Sequence, residues 1–126
     1  METVTENSVA LSLSAGGVGV FPSVKKARVV YAGIKGETDR LAALHKTLDA
    51  DLAGQGFKKE ERRFAPHLTL ARIKTKSNPS SLVHLIRTFQ DRQSEGFTTS
   101  SMSLFKSDLT PRGAIHTELF TSRFGP

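Results

Sequence analysis

Arg62–Lys74, RRFAPHLTLARIK, is the stretch that most restricts what this chain can become. From His67 on it reads as a strand, and in a strand residues i and i+2 share a face. His67 and Thr69 therefore stand side by side, while Leu68 and Leu70 turn the other way into a core. An imidazole can move a proton near neutral pH, and a hydroxyl beside it can donate a hydrogen bond to an oxyanion. Pro66 has no N–H and a fixed φ, so the strand begins at or after it. Strict alternation puts Arg72 on the Leu68 face; a bulge or strand end near Ala71 is required to bring its guanidinium round to His67.

The surrounding charge suits an anionic ligand. Lys58 to Lys76 holds seven basic residues against two acidic ones, a net +5 in a chain whose total is +6. A patch of this sort is a weak motif alone, because solvated strand ends are often rich in Lys and Arg.

Pro66-His67-Leu68-Thr69-Leu70-Ala71-Arg72-Ile73 resembles the second His-x-Thr-x motif of the 2H phosphoesterases. Within them it is similar to the RNA 2′,3′-cyclic phosphodiesterases, also called 2′-5′ RNA ligases. Gly19-Val20-Phe21-Pro22-Ser23 and Arg28-Val29-Val30-Tyr31-Ala32-Gly33 resemble that family's G-x-F-P-S and R-V-L-W-A-G strands. Leu104-Phe105-Lys106-Ser107 and the Gly113-to-Phe120 stretch resemble its last two strands. The similarity runs from about Ser8 onward. The family carries two such motifs, one per pseudo-symmetric lobe. Of His45, His67, His84 and His116, only His67 has Thr at i+2, so the chain resembles the C-terminal two-thirds of a family member.

The resemblance implies His67 and Thr69 as catalytic residues, with Thr69 and Arg72 holding phosphate. It implies a metal-free reaction without a cofactor. One imidazole serves as base on the nucleophile attacking a 2′,3′-cyclic phosphate, and the other as acid on the departing ribose oxygen. Water gives a 2′-phosphate end, and an RNA 5′-hydroxyl gives a 2′-5′ linkage. The implied partner is RNA with a cyclic phosphate end or a related nucleotide, and a homodimer through the surface where the other lobe would rest is expected. Two rival readings stay open: a non-catalytic RNA- or nucleotide-binding remnant, and a module completed by a partner chain.

At 126 residues the chain is expected to form one domain, with residues 1–7 frayed. The absence of Cys excludes disulfides and thiolate metal sites and fits a reducing cytoplasm. METVTENS reads as neither a signal nor a transit peptide, and no apolar run approaches the roughly 20 residues of a membrane span. No H-x-x-x-H or H-E-x-x-H pair suggests a metal, and no G-x-S-x-G suggests a serine nucleophile.

The pattern predicts strands over Ser8–Leu13 and Ala27–Ile34, with Gly16, Gly17 and Gly19 marking a bend or bulge between them. A helix over Thr38–Gly54 has an apolar stripe of Leu41, Leu44, Leu48 and Leu52. After the His67 strand, Asn78-Pro79 caps a second helix buried through Leu82, Leu85, Ile86 and Phe89. Phe97–Lys106 and Ala114–Arg123 form a closing hairpin around a Ser107–Gly113 loop. His45 reads as a partly buried helix residue and His84 as exposed. His116 is followed two residues later by Glu118, which repels phosphate; the resemblance, to a family that often has an aromatic here, implies a role in stacking on a base at the cleft rim. The order β-β-α-β-α-β-β is that of an α+β domain, antiparallel sheet with helices packed on one side.

Overall fold

The computed structural model describes residues 2–125. The elements run α1 (Glu2–Glu6), β1 (Leu11–Phe21), β2 (Val29–Gly36), α2 (Thr38–Gly54), β3 (His67–Arg72), α3 (Pro79–Phe89), β4 (Phe97–Thr99), β5 (Ser101–Thr110) and β6 (Gly113–Arg123). Their sheets are a four-stranded one of order β3-β2-β1-β4 and a β5-β6 hairpin. The α+β class follows from the alternating apolar periods. One domain is the sequence expectation; the contacts divide the chain into two compact units. One unit takes Ser12–Asp39 and Arg63–Phe97; the other takes the stretch up to Leu11, Arg40–Arg62 and Thr98 onward.

The first unit carries the His67 strand. β1 pairs antiparallel with β2 from Leu13↔Gly36 to Phe21↔Val29. It does not stop at its glycines: the register shifts between Gly16 and Val18, and Gly17 takes φ 70° as the extra residue of a bulge. A left-handed φ is cheap only without a Cβ, so Gly17 lets β1 absorb one residue and continue. Leu13 and Val30 are buried on the face opposite His67. α3 begins as expected: the Asn78 side chain accepts the Ser80 N–H at 2.9 Å and Pro79 sits in the first turn. Leu82 is its buried residue, whereas Phe89 is exposed.

In the second unit the expected frayed start is a short helix, Met1 lying outside the described residues. Val4 and Thr5 of α1 are buried, the Thr5 and Ser122 hydroxyls hydrogen-bond to each other, and the Gly125 N–H donates to the Thr5 carbonyl at 2.9 Å. Polar composition suggested fraying; packing on β6 holds the helix instead. The stripe of α2 is half-buried, and none of its residues is fully buried.

The hairpin also differs from expectation. Phe97–Lys106 is two strands, β4 and β5, broken at Ser100 and assigned to different sheets. Residues 107–110, expected as loop, extend β5, because a tight turn lies beyond them: Thr110 Oγ1 donates to the Gly113 carbonyl at 2.6 Å, and Gly113 takes φ 120°. Glu118 faces Ser103 and Thr121, whose hydroxyls both donate to its carboxylate. The Thr121 bond, then the Ser103 bond, holds the Glu118 carboxyl below its ordinary range. A lowered carboxyl pKa adds stability above the unfolded value and loses it as pH falls through the folded one. Thr121→Val should therefore raise the Glu118 titration midpoint, more than Ser103→Ala does. Carboxyl NMR titration checks this, and an unmoved midpoint in both variants would contradict the assignment.

Candidate active site

β3 is the outer strand of its sheet and pairs with β2 through Gly33↔His67, Ala32↔Leu68 and Tyr31↔Thr69. The register then shifts, so that Val30 pairs with Ala71 and Val29 with Arg72. Leu70 is the extra residue, a bulge in β3. Directly paired residues share a sheet face, and Val29, Tyr31 and Gly33 alternate onto one face of β2. Arg72 therefore joins His67 and Thr69. The bulge that the sequence argument required is present, one residue before Ala71.

The expected burial of Leu68 and Leu70 is overturned: they are 47% and 59% exposed. Leu68 shares the Val30 side of the sheet but lies at its edge, where nothing described covers it, and the bulge lifts Leu70 out of the alternation.

His67 is exposed and oriented. Its Nδ1 lies 2.7 Å from the Ala65 carbonyl oxygen. A carbonyl only accepts, so Nδ1 carries the proton. Nε2 is then a free lone pair in the neutral ring and a free donor in the cationic one. The imidazole meets two aromatic rings edge-on, Phe21 at 5.1 Å and 81° and Tyr31 at 5.6 Å and 68°. Phe21 and Tyr31 stack on each other at 4.2 Å and 16°. Tyr31 leans across β1 over Gly19, where a Cβ would collide with its ring. The Ala65 carbonyl and the Phe21–Tyr31 pair thus hold the ring by one hydrogen bond and two edges.

The Thr69 hydroxyl and Arg72 guanidinium have no hydrogen-bond or ion-pair partner among the described residues. Arg63 to Lys76 contains four basic residues and no acidic one. Lys58, by contrast, spends its charge on Glu61 at 4.0 Å. The arrangement offers a proton-exchanging nitrogen, a hydroxyl donor about 7 Å along the strand, and a guanidinium beyond it. It is an open face; two described cavities, of about 250 and 400 Å³, are lined by other residues.

The remaining histidines are placed elsewhere. His84 is exposed on α3 and lines the larger cavity with Ser80 and Arg87. His45 is half-buried on α2. His116 pairs across the hairpin with Ser107, its Nδ1 2.9 Å from Oγ. Among the described residues no group of three His, Cys, Asp or Glu is placed to hold a metal, and no helix is long and apolar enough to cross a membrane. Sequence reasoning quoted the strands that hold Phe21 and Tyr31 without giving the two rings a role. Gly19, small and opposite Tyr31, was the available signal.

The family model for LigT-like phosphoesterases matches residues 33–116, which include the whole His67 strand. The chain belongs to the LigT-like phosphoesterases. It is 36% identical over 107 residues to the RNA 2′,3′-cyclic phosphodiesterase of Methanothermobacter thermautotrophicus, covering 85% of this chain and 57% of that protein. It is also 36% identical over 104 residues to the protein of the same name from Aeropyrum pernix, covering 82% and 59%. The chain thus spans under two thirds of the length of these relatives. The LigT-like fold is seen again in the crystal structure of TT0787 of Thermus thermophilus, with a TM-score of 0.63 at 21% identity over 98% of this chain and 65% of that one.

Proposed function

We propose that this chain carries one half of an RNA 2′,3′-cyclic phosphodiesterase site, with His67 as its acid–base group and Thr69 and Arg72 as its phosphate ligands. The observation that carries the reading is the Leu70 bulge, which gathers three residues of complementary chemistry on one face. Nε2 of His67 takes a proton from the attacking water, or gives one to the leaving ribose oxygen. As the water oxygen bonds to phosphorus, the bond to the 3′ oxygen breaks and a 2′-phosphate remains. Thr69 donates to a non-bridging oxygen, and Arg72 offers its planar fork to the charge that builds there. The same displacement by an RNA 5′-hydroxyl forms a 2′-5′ linkage. The cysteine-free sequence supports a cytoplasmic setting.

Binding of adenosine 2′,3′-cyclic phosphate tests the reading. Hydrogen bonds to charged groups contribute about 1.5–3 kcal/mol, so Arg72→Ala should weaken binding about tenfold or more, and Arg72→Lys should not restore it fully. Thr69→Val should weaken it less. Calorimetric titration that gives the same affinity for wild type and both Arg72→Ala and Thr69→Val would refute the assignment.

A further inference from the structure

We infer that Lys35 forms a second phosphate subsite on the same face, taking the internucleotide phosphate next in line to the cyclic one. The inference rests on the site proposed above. β2 alternates, so Lys35 shares the face of Gly33, Tyr31 and Val29, whose partners are His67, Thr69 and Arg72. Gly33 marks the level of His67. Lys35 lies two residues further, on the side away from Thr69 and Arg72. At a rise of ~3.3 Å per residue that step is ~7 Å from the level of His67, a gap the long Lys35 side chain can span toward a neighbouring phosphate. Arg72 and Lys35 thus bracket the acid–base group from opposite ends of the face.

The Phe21 and Tyr31 rings occupy the Arg72 side of that face, and the level of His67 is lower. Gly33 pairs with His67 on one side and with Gly16 on the other, so no side chain rises from β1 or β2 at that level. A ligand backbone can approach glycine closely. The stem of Lys35 leans over Gly16, where an added Cβ would stand 3.3 Å from its Cγ. Beside it on the same face, Ser14 pairs with Lys35 and its hydroxyl accepts from the Gln93 amide at 2.7 Å, so that the Gln93 stem and the Arg92 carbonyl border Gly16 on the far side from His67. Lys35 is exposed, and among the described residues no carboxylate is in ion-pair contact with it. The next acidic residue, Glu37, just past the end of β2, directs its carboxylate at the Ser12 N–H, 2.8 Å away. An exposed ammonium beside the paired glycines Gly16 and Gly33 suits a phosphate held as a point charge.

The test compares two probes on the purified chain: adenosine 2′,3′-cyclic phosphate, and an oligoadenylate ending in a 2′,3′-cyclic phosphate. Fluorescence anisotropy and competition give affinities across a salt series. The wild type should prefer the oligonucleotide. Lys35→Ala should cut its affinity about three- to tenfold and lower the salt slope by about one, as for the loss of one phosphate contact. It should leave the mononucleotide unaffected, and Lys35→Arg should retain the preference. An unchanged oligonucleotide affinity and salt slope in Lys35→Ala, or a parallel loss for both probes, overturns the Lys35 subsite while the His67 site stands. Failure of the wild type to bind either probe overturns both.

Discussion

The purified 126-residue chain is expected to turn over a cyclic-phosphate-ended oligonucleotide at least about 10²-fold, and up to about 10⁴-fold, more slowly than its full-length relatives. Displacement at phosphorus needs a base on the side of attack and an acid on the side of departure. One imidazole can fill either role but cannot stand on both sides of the phosphorus at once. Among the described residues on the face formed by β1, β2 and β3, His67 is the one imidazole, and Thr69 is the aliphatic hydroxyl next to it on β3. A missing second hydroxyl donor would cost a further factor on the order of 10² if it behaves like other oxyanion donors. What remains, Thr69, Arg72 and the basic segment, is expected to attract phosphate without completing the proton transfers. The assay is hydrolysis of that oligonucleotide beside His67→Ala, with binding measured in parallel. Turnover matching the full-length relatives and abolished in His67→Ala would mean that a second acid–base group completes the site.

How much of this site was legible in the sequence depended on whether the relevant interaction was local. The i, i+2 spacing of His67 and Thr69 is fixed by strand geometry, so their shared face could be read before any fold was known. Arg72 could be read only as a condition, because its face depends on one extra residue in β3, and a bulge is settled by pairing with β2. The Asn78-Pro79 cap was legible because capping is local chemistry. The orientation of His67 was not: its partners are a carbonyl at Ala65 and rings at Phe21 and Tyr31, the rings brought together only by the sheet. The helical start of the chain escaped for the same reason. Nothing in Glu2–Glu6 announces burial, and the hydroxyl that pairs with Thr5 lies 117 residues away. Strand ends near Ser107 and Asp108 were misread because exposed strand residues carry the polar composition of a loop.

The second large effect concerns two leucines that the sequence pattern places in a core, Leu70 by strand alternation and Leu82 by helical spacing. Leu82 is 7% exposed on α3, whereas Leu70 is 59% exposed on β3. Truncating a buried leucine loses its transfer free energy and leaves a cavity, together about 2–5 kcal/mol. A leucine already more than half in water has little burial to lose, and without a packed shell it leaves no cavity. Leu70→Ala should therefore cost under about 1 kcal/mol, and Leu82→Ala several times more. Total stabilities of about 5–15 kcal/mol make the larger loss a substantial share. Urea unfolding of the two variants beside the wild type measures both, provided the slope with denaturant stays constant. The comparison also reads the sheet edge that bears His67. If Leu70→Ala proved as damaging as Leu82→Ala, and its cost fell on dilution, a second copy of the chain would be covering β3 in solution. A small, concentration-independent cost means that the Leu68–Leu70 edge stands open in the free chain.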